Sequence, residues 1–176
     1  MIKSYKELLS IYKNQRQVEN AVKAGEYTKI SRGIYSSDSN VTVEEYICKR
    51  YSNGIITGYT AFNYYNLLKF KDKKCHLATK NASTRLGNPL VLQSFQDDSF
   101  FSVGVKEEGK IRIYDKERML IELFRNRTKY DPKFFKEIVL NYRKQSSLIN
   151  KKRLNLYLKH FKTAKKIARE IQDIIF

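Results

Sequence analysis

The sequence is poor in the residues that cross-link small proteins or anchor them in membranes. Only two of its 176 residues are cysteines, Cys48 and Cys75, and none is tryptophan. Two cysteines without close spacing provide neither a disulfide framework nor a zinc-binding pattern, so a reduced, cytoplasmic protein is the simplest interpretation. No segment reaches the roughly 20 consecutive apolar residues that a membrane span needs. We therefore expect no membrane partner, no metal and no cofactor.

Acidic residues are also scarce. Lys and Arg total 35 while Asp and Glu total 18, a net charge of +17. Residues 1–37 hold 7 basic and 3 acidic groups (net +4), residues 38–149 hold 20 and 13 (net +7), and residues 150–176 hold 8 and 2 (net +6). The two ends are therefore the electropositive parts. This favours a polyanionic partner, with an ordinary protein from a lysine-rich genome as the alternative.

Residues 1–37 have the order of elements found in a winged helix-turn-helix. Hydrophobic periodicity and capping residues predict one helix over residues 4–12 and a second over residues 15–24. Two short strands are predicted over residues 26–36, around a tight turn at Gly33. We therefore predict that residues 1–37 form a DNA-binding domain whose second helix enters the major groove.

The second predicted helix has one polar face. Its apolar residues Val18, Ala21 and Val22 point the other way, toward the first helix. Arg, Asn and Gln can each make two hydrogen bonds to a base edge, and basic or hydroxyl side chains of the hairpin suit the DNA backbone. A solvated polar face beside a small hairpin is the alternative. The predicted DNA-binding residues are Gln15, Arg16, Gln17, Asn20, Lys23, Lys29, Ser31 and Arg32.

A polar segment over residues 36–40 is typical of a linker, and residues 40–176 are predicted to form a second, mixed domain. Turn residues and apolar runs predict helices over residues 42–51 and 59–68 and strands near residues 54–57, 74–79, 90–95, 100–105 and 110–114. From about residue 116 to residue 176 the periodicity is helical throughout. The predicted fold class is α+β: a small winged helix-turn-helix, then a mixed α/β domain that ends in a helical region.

Three segments resemble the AbiEi family of antitoxins. Residues 24–35, AGEYTKISRGIY, resemble the family's wing pattern G-x-x-x-(K/R)-(I/L)-x-(R/K)-G-(I/V)-Y. Residues 55–67 resemble its strand followed by a helix, and residues 113–123 its ER-x-L-x-D-L helix, although Glu122 stands where the family more often has Asp. The matches occur in the family's order and cover most of the chain.

The resemblance implies an antitoxin of a type IV toxin–antitoxin system, which acts in abortive infection as a phage defence. The family's N-terminal winged helix represses its own operon, and its C-terminal domain counteracts a nucleotidyltransferase-type toxin without necessarily binding it. This implies operator DNA as one partner, the toxin as a functional partner, and no enzymatic activity. The chain has no Gly-Ser followed by closely spaced acids, as the toxin would. The resemblance assigns antitoxicity only broadly, to residues 40–176.

Two further groups of charged residues have several interpretations. The first lies in the segment that resembles the family's ER-x-L-x-D-L helix. It is either a helix-surface ladder of ion pairs, worth ~0.3–0.5 kcal/mol per pair, a polar patch used in antitoxicity, or, for Glu117, Arg118 and Glu122, the site of a hydrolase or transferase. Its members are Glu117, Arg118, Glu122 and Arg125.

The second group lies on one side of the last predicted helix. It is either a solvated face, an extension of the DNA footprint, or a surface for RNA or an acidic partner. An RNA-binding interaction protein that uses this face is the alternative to the antitoxin interpretation. The members are Lys162, Lys165, Lys166 and Arg169. The remaining metal or nucleophile candidate, Cys75-His76, is better explained as a strand with mixed burial.

Overall fold

The computed structural model describes residues 1–70 and 72–176, with the side chain of Ser31 outside the description. The described residues form an α+β protein with two separate sheets. They divide into two compact units, Met1–Arg50 and Tyr51–Phe176. The first unit contains the predicted module 1–37 and is longer than it by the linker and one helix.

The first unit consists of a three-stranded sheet and three helices. The sheet has the order β1-β3-β2, and both pairings are antiparallel. The helix, helix, hairpin order predicted for this segment is confirmed, whereas the first strand was not predicted. The elements are β1 (Ile2–Ser4), α1 (Tyr5–Tyr12), α2 (Gln15–Lys23), β2 (Thr28–Ser31), β3 (Ile34–Ser36) and α3 (Val43–Arg50).

Side-chain caps define where the first two helices begin. The Ser4 hydroxyl accepts a hydrogen bond from the Glu7 amide at 3.2 Å, and the Glu7 carboxylate accepts one from the Ser4 amide at 2.6 Å. This is a capping box, which satisfies two amides that would otherwise lack helical partners. Asn14 caps α2 by accepting from the Gln17 amide at 3.0 Å. The two helices are therefore separated by only two residues.

The second unit is a five-stranded mixed sheet with helices. Its order is β6-β5-β4-β8-β7; β5–β6 and β4–β8 are parallel, while β4–β5 and β7–β8 are antiparallel. The strands are β4 (Ile55–Ile56), β5 (Cys75–Lys80), β6 (Val91–Gln96), β7 (Val105–Glu108) and β8 (Ile111–Tyr114). The helices are α4 (Gly58–Tyr64), α5 (Asp98–Phe101), α6 (Lys116–Arg125), α7 (Pro132–Lys144), α8 (Lys151–Leu158) and α9 (Ala164–Ile175).

One predicted strand is wrong. Residues 100–105 begin in helix α5, and the strand starts only at Val105. The reason is a local cap: the Asp97 carboxylate accepts from the Ser99 amide at 2.9 Å, which starts a helical turn that outweighs the β preference of the two phenylalanines. The helical character predicted for residues 116–176 is confirmed. In the described part of the chain, no helix has both the length and the apolar character of a membrane span.

Gly104 joins α5 to the sheet at a position that admits no side chain. Its φ is +74°, and a Cβ atom there would lie 2.5 Å from the Cβ of Arg118 and 3.0 Å from the ring of Tyr157. The backbone conformation and the lack of space therefore both require glycine. This close approach brings the β7 end of the sheet directly against α6.

We predict that Gly104→Ala destabilises the protein more than Gly109→Ala does. Gly109 also has a positive φ, of +60°, but no atom lies within 4 Å of its added Cβ. The control variant therefore carries backbone strain alone, about 1–2 kcal/mol, while Gly104→Ala adds an overpacking cost of about 1–3 kcal/mol. Urea unfolding of both variants measures the difference. Equal losses would contradict the packing role of Gly104.

Candidate nucleic-acid interface

Helix α2 divides into a buried side and an exposed side. Val18 and Ala21 are buried and Val22 is half-buried, which confirms the predicted inward face. All the predicted DNA-binding side chains that the structure describes are exposed; the side chain of Ser31 lies outside the described residues. The exposed set is Gln15, Arg16, Gln17, Asn20, Lys23, Lys29 and Arg32.

A groove of about 550 Å³ separates α2 from the hairpin. The first turn of α1 contributes Tyr5 to its wall, and β3 contributes Tyr35, whose ring centroid lies 6.3 Å from that of Tyr5. Val18 and Val22 supply apolar lining. The groove brings together four of the predicted residues from two separate elements: Gln15, Lys23, Lys29 and Arg32.

The other three predicted residues do not line the groove. Arg16, Gln17 and Asn20 lie on the outer side of the exposed surface of α2, because helical spacing rotates them away from Gln15. The predicted residues thus form two sets, one on the outer side of the helix and one in the groove, with Lys23 at the boundary between them.

Sequence reasoning missed three residues of the groove. Tyr5, Glu19 and Tyr35 line the groove but were not among the predicted DNA-binding residues. Strand alternation could have identified Tyr35: Ile34 and Ser36 are buried, so Tyr35 points to the opposite face, and it pairs in register with Lys29. Glu19 is engaged locally, since its carboxylate accepts from the Gln15 amide group at 2.7 Å.

One acidic residue near the hairpin is held by a tyrosine. The Tyr12 hydroxyl donates to the Glu26 carboxylate at 2.7 Å, and this hydrogen bond raises the pKa of Tyr12 to about 12. The Tyr12 ring also meets Tyr27 edge to face, with centroids 6.2 Å apart. These contacts tie the end of α1 to the start of the hairpin, which is also held by the pairing of β3 with β1.

Most of the net positive charge lies outside the unit that contains the candidate interface. Met1–Arg50 contains 9 basic and 6 acidic residues, a net charge of +3, while Tyr51–Phe176 contains 26 and 12, a net charge of +14. Most of the excess therefore belongs to the second unit. The first unit presents a few well-placed cations rather than a strong overall field.

The charged group on α6 is a buried network. Arg118 is 0% exposed and Glu122 is 2% exposed. The Glu122 carboxylate accepts from Arg118 at 2.7 Å, from Arg125 at 2.7 Å and from the Asn126 side chain at 2.7 Å. Arg125 also donates to Gln96 of β6 at 2.7 Å. The helix-surface ladder is therefore wrong, because every residue of α6 from Glu117 to Phe124 is buried.

Arg118 is enclosed by aromatic rings and carbonyls. Its guanidinium lies 5.2 Å from the ring centroid of Phe100, 4.6 Å from that of Tyr114 and 4.8 Å from that of Phe161. It donates to the Phe100 carbonyl at 2.7 Å. Cation–π contact of this kind is strongest where water is excluded. Arg118 therefore connects α5, β8 and the segment that follows α8.

Glu117 and Asp115 fasten α8 to the start of α6. The Glu117 carboxylate accepts from the Asn150 amide at 2.8 Å, at the cap of α8. The Asp115 carboxylate accepts from the Arg118 amide and the Tyr157 hydroxyl, both at 2.8 Å. Burial raises the pKa of Asp115, and these hydrogen bonds oppose that rise. Both carboxylates therefore have structural partners.

The predicted basic face is exposed, but only Lys165, Lys166 and Arg169 lie on α9, whereas Lys162 lies in the turn before the helix. The apolar side of α9, with Ile167, Ile171 and Ile175, is buried. Arg169 lies 3.7 Å from the carboxylate of Asp173. Lys162 is close enough to Asp97 to contribute, after the Ser99 hydrogen bonds, to lowering the pKa of that carboxyl group. The exposed cations are Lys162, Lys165, Lys166 and Arg169.

Cys75 and His76 lie on β5 with mixed burial, as expected. Cys75 is buried, and His76 is half-buried with its Nε2 atom 2.8 Å from the Asp72 carboxylate. Across the described ranges, no group of His, Cys, Asp and Glu side chains could hold a metal ion.

Comparison with known proteins places the fold but not the function. No protein-family model matches the chain, and no curated protein matches its sequence. The fold is similar to that of the RV2827C protein from Mycobacterium tuberculosis, known from a crystal structure. The TM-score is 0.61 at 12% identity, over 98% of this chain and 71% of that one. At this identity the likeness concerns the fold alone.

We predict that Glu122→Gln lowers the free energy of unfolding by about 3–5 kcal/mol, because it leaves Arg118 buried without a counter-charge. Asp173→Asn is the matched control, since it breaks the exposed Arg169–Asp173 pair and should cost less than about 0.5 kcal/mol. Chemical denaturation followed by circular dichroism measures both. A small effect of Glu122→Gln would mean that the network is not essential to the fold.

Proposed function

We propose that this chain is an AbiEi-like antitoxin of a type IV toxin–antitoxin system, that it acts in the cytoplasm, and that it represses its own operon by binding DNA. In this proposal the protein binds and does not catalyse. The observation that carries the proposal is the exposed polar side of α2 beside the basic groove that α2 shares with the hairpin.

The first unit suits a winged helix-turn-helix in which α2 is the recognition helix, since it directly precedes the hairpin. The two sets of residues then have different tasks. Arg16 and Asn20, on the outer side, suit hydrogen bonds to base edges. Lys29 and Arg32, in the hairpin and lining the groove, suit phosphate contacts, which position the protein and make its affinity depend on salt.

The second unit is the proposed antitoxin domain and counteracts a nucleotidyltransferase-type toxin. The charged residues of α6 support this activity through the fold, because Glu117, Arg118 and Glu122 are buried and paired. Arg125 is partly exposed, with 26% of its side chain accessible. A neighbouring reading frame for a nucleotidyltransferase would support the proposal independently.

A second candidate function is RNA binding through the C-terminal helices. The observation that favours it is the exposure of all four cations of the basic face, together with the concentration of net charge in the second unit. RNA helices are recognised largely through phosphates and hydroxyls, which a face of this kind can contact without a specific pocket.

We predict that combining Arg16→Ala with Asn20→Ala abolishes binding to the protein's own promoter, because both base-reading side chains are lost. Growth rescue from the toxin should survive. Lys49→Ala, an exposed cation on α3 of the same unit, is the control and should retain promoter binding. Fluorescence anisotropy with promoter DNA and a co-expression growth assay measure the two activities. Unchanged promoter affinity in the double variant would refute the role of α2.

We predict that alanine at all four positions of the basic face leaves the fold intact and weakens RNA binding more than promoter binding, if the second candidate holds. Competition between promoter DNA and a structured RNA at matched salt provides the measurement, because both polyanions lose affinity together as salt rises. Equal loss for DNA and RNA would instead make the face an extension of the DNA footprint. Loss of neither would remove the face from nucleic-acid binding.

A further inference from the structure

Five aromatic rings meet in the second unit beside a basic loop. Tyr59, at the start of α4, lies at their centre, and its ring centroid is 5.3–5.7 Å from each of the other four, those of Phe70, His76, Tyr130 and Phe134. Phe70 is 38% exposed, whereas the other rings are half-buried. The cluster therefore reaches solvent chiefly at Phe70, in the loop between α4 and β5.

Phe70 uses only one of its ring faces within the cluster. That face stacks on Phe134, with centroids 4.5 Å apart and planes tilted by 26°. Tyr59 is almost equally distant from the two rings and nearly perpendicular to both, at 83° and 85°. A ring over the outer face of Phe70 would lie much closer to Phe70 than to Phe134, so Tyr59 lies beside the stack and contacts its edges. Neither neighbouring ring therefore covers the outer face of Phe70.

Hydrogen bonds hold Phe70 in this position. The Asn63 side chain donates to the carbonyl of Phe70 at 3.3 Å, and the Glu137 carboxylate accepts from the amide of Lys69 at 3.0 Å. The backbone at Phe70 is therefore tied to α4 and α7, the helices that supply Tyr59 and Phe134. A ring that is already ordered loses little conformational entropy when a ligand stacks on it.

The segments that surround Phe70 carry an excess of positive charge. Residues 69–76 contain four lysines and one acid (net +3), and residues 129–137 contain three lysines and two acids (net +1). Asp72 pairs with His76 at 2.8 Å, and Asp131 accepts from the Lys133 amide at 2.8 Å, so both carboxylates are engaged within the protein. The exposed lysines next to Phe70 and Phe134 are Lys69, Lys73, Lys74 and Lys133. This charge favours a polyanionic partner.

We propose that Phe70 and these four lysines form a binding site for single-stranded nucleic acid. One unpaired base stacks on the outer face of Phe70, and the lysines contact the phosphates on either side of it. Stacking on an aromatic ring combined with phosphate contacts is how proteins bind single strands without sequence preference. An unpaired nucleotide has both the flat face that matches the ring and the phosphate that matches the lysines, which selects a single strand over a duplex or an acidic peptide.

Fluorescence anisotropy of the full chain with a labelled oligouridylate tests the stacking contact. Phe70→Leu removes the ring but keeps an apolar side chain against Phe134, and it should weaken binding at least about fivefold, the smaller effect expected for the loss of one stacked base. Phe70→Tyr keeps a ring and should bind as the unmodified protein does. Phe95→Ala is the matched control, since Phe95 is 42% exposed on β6, a strand without charged residues, and it should leave the affinity unchanged.

Salt dependence tests the lysines separately from the ring. Each phosphate contact with a single strand contributes about 0.7 to the slope of log affinity against log salt concentration. Combining Lys73→Ala with Lys74→Ala should therefore reduce this slope by about 1.4, while Phe70→Leu should leave it unchanged. An unchanged slope in the lysine variant would overturn the phosphate contacts. The effect of Phe70→Leu should persist when the four cations of the basic face are alanine, which separates this site from the second candidate function.

Photo-cross-linking of the unmodified protein to a strand that contains iodouridine tests the site without any substitution, and mass spectrometry should locate the cross-link at Phe70. Oligothymidylate is the second arm, and the tighter of the two strands identifies RNA or DNA as the partner. Equal affinity of Phe70→Leu and the unmodified protein for both strands overturns the proposal, as does an equal loss of duplex binding. Polyglutamate that displaces the strand better than unlabelled strand does would indicate an acidic protein instead and would also overturn it. Because no arm contains promoter DNA or toxin, the result is independent of the proposed antitoxin function.

Discussion

The carboxylate of Glu122 is the constraint on which the second unit depends. It accepts hydrogen bonds from Arg118, Arg125 and Asn126, all at 2.7 Å, although it is almost fully buried. A buried charge of this kind is costly unless it is paired and hydrogen-bonded. The pairing extends outward: Arg125 reaches Gln96 at the end of β6, and Arg118 reaches the Phe100 carbonyl of α5. The position of α6 is thereby tied to the β6 end of the sheet.

The second unit contains two kinds of cation, those buried in this network and those exposed to solvent. Arg118 is buried in the core, where its guanidinium packs against the rings of Phe100, Tyr114 and Phe161. The cations of the basic face remain exposed to solvent, although Arg169 has Asp173 as an acidic neighbour and Lys162 has Asp97. Formal charge counts both kinds equally. Only the exposed cations can release counterions from a polyanion, so their positions, rather than the total of +17, determine where such a partner could bind.

The elements that could be predicted from the sequence are those fixed by local chemistry. The caps at Ser4 and Asn14 lie within three residues of their partners, and Gly33 has the positive φ that its turn requires. Strand β1 could not be predicted, because three residues carry no period and their pairing with β3 joins Ile2 to the distant Ser36. The burial of Arg118 could not be predicted from the sequence either. Its i, i+4 spacing to Glu122 is that of a surface pair, and two of the three surrounding rings, those of Phe100 and Phe161, come from far along the chain.

The candidate interface illustrates the same limit at the level of single residues. Helical periodicity correctly separated the buried side of α2 from its exposed side, since that depends only on the 3.6-residue turn. It could not divide the exposed side further, because the division depends on where the hairpin lies. The Tyr12 hydroxyl donates a hydrogen bond to Glu26 at the start of the hairpin. Gln15 and Lys23 line the groove between the hairpin and α2, whereas Arg16 and Asn20 lie outside it. The position of the hairpin, which the Tyr12–Glu26 hydrogen bond and the pairing of β1 with β3 help to hold, therefore decides which polar residues of α2 lie beside the hairpin cations.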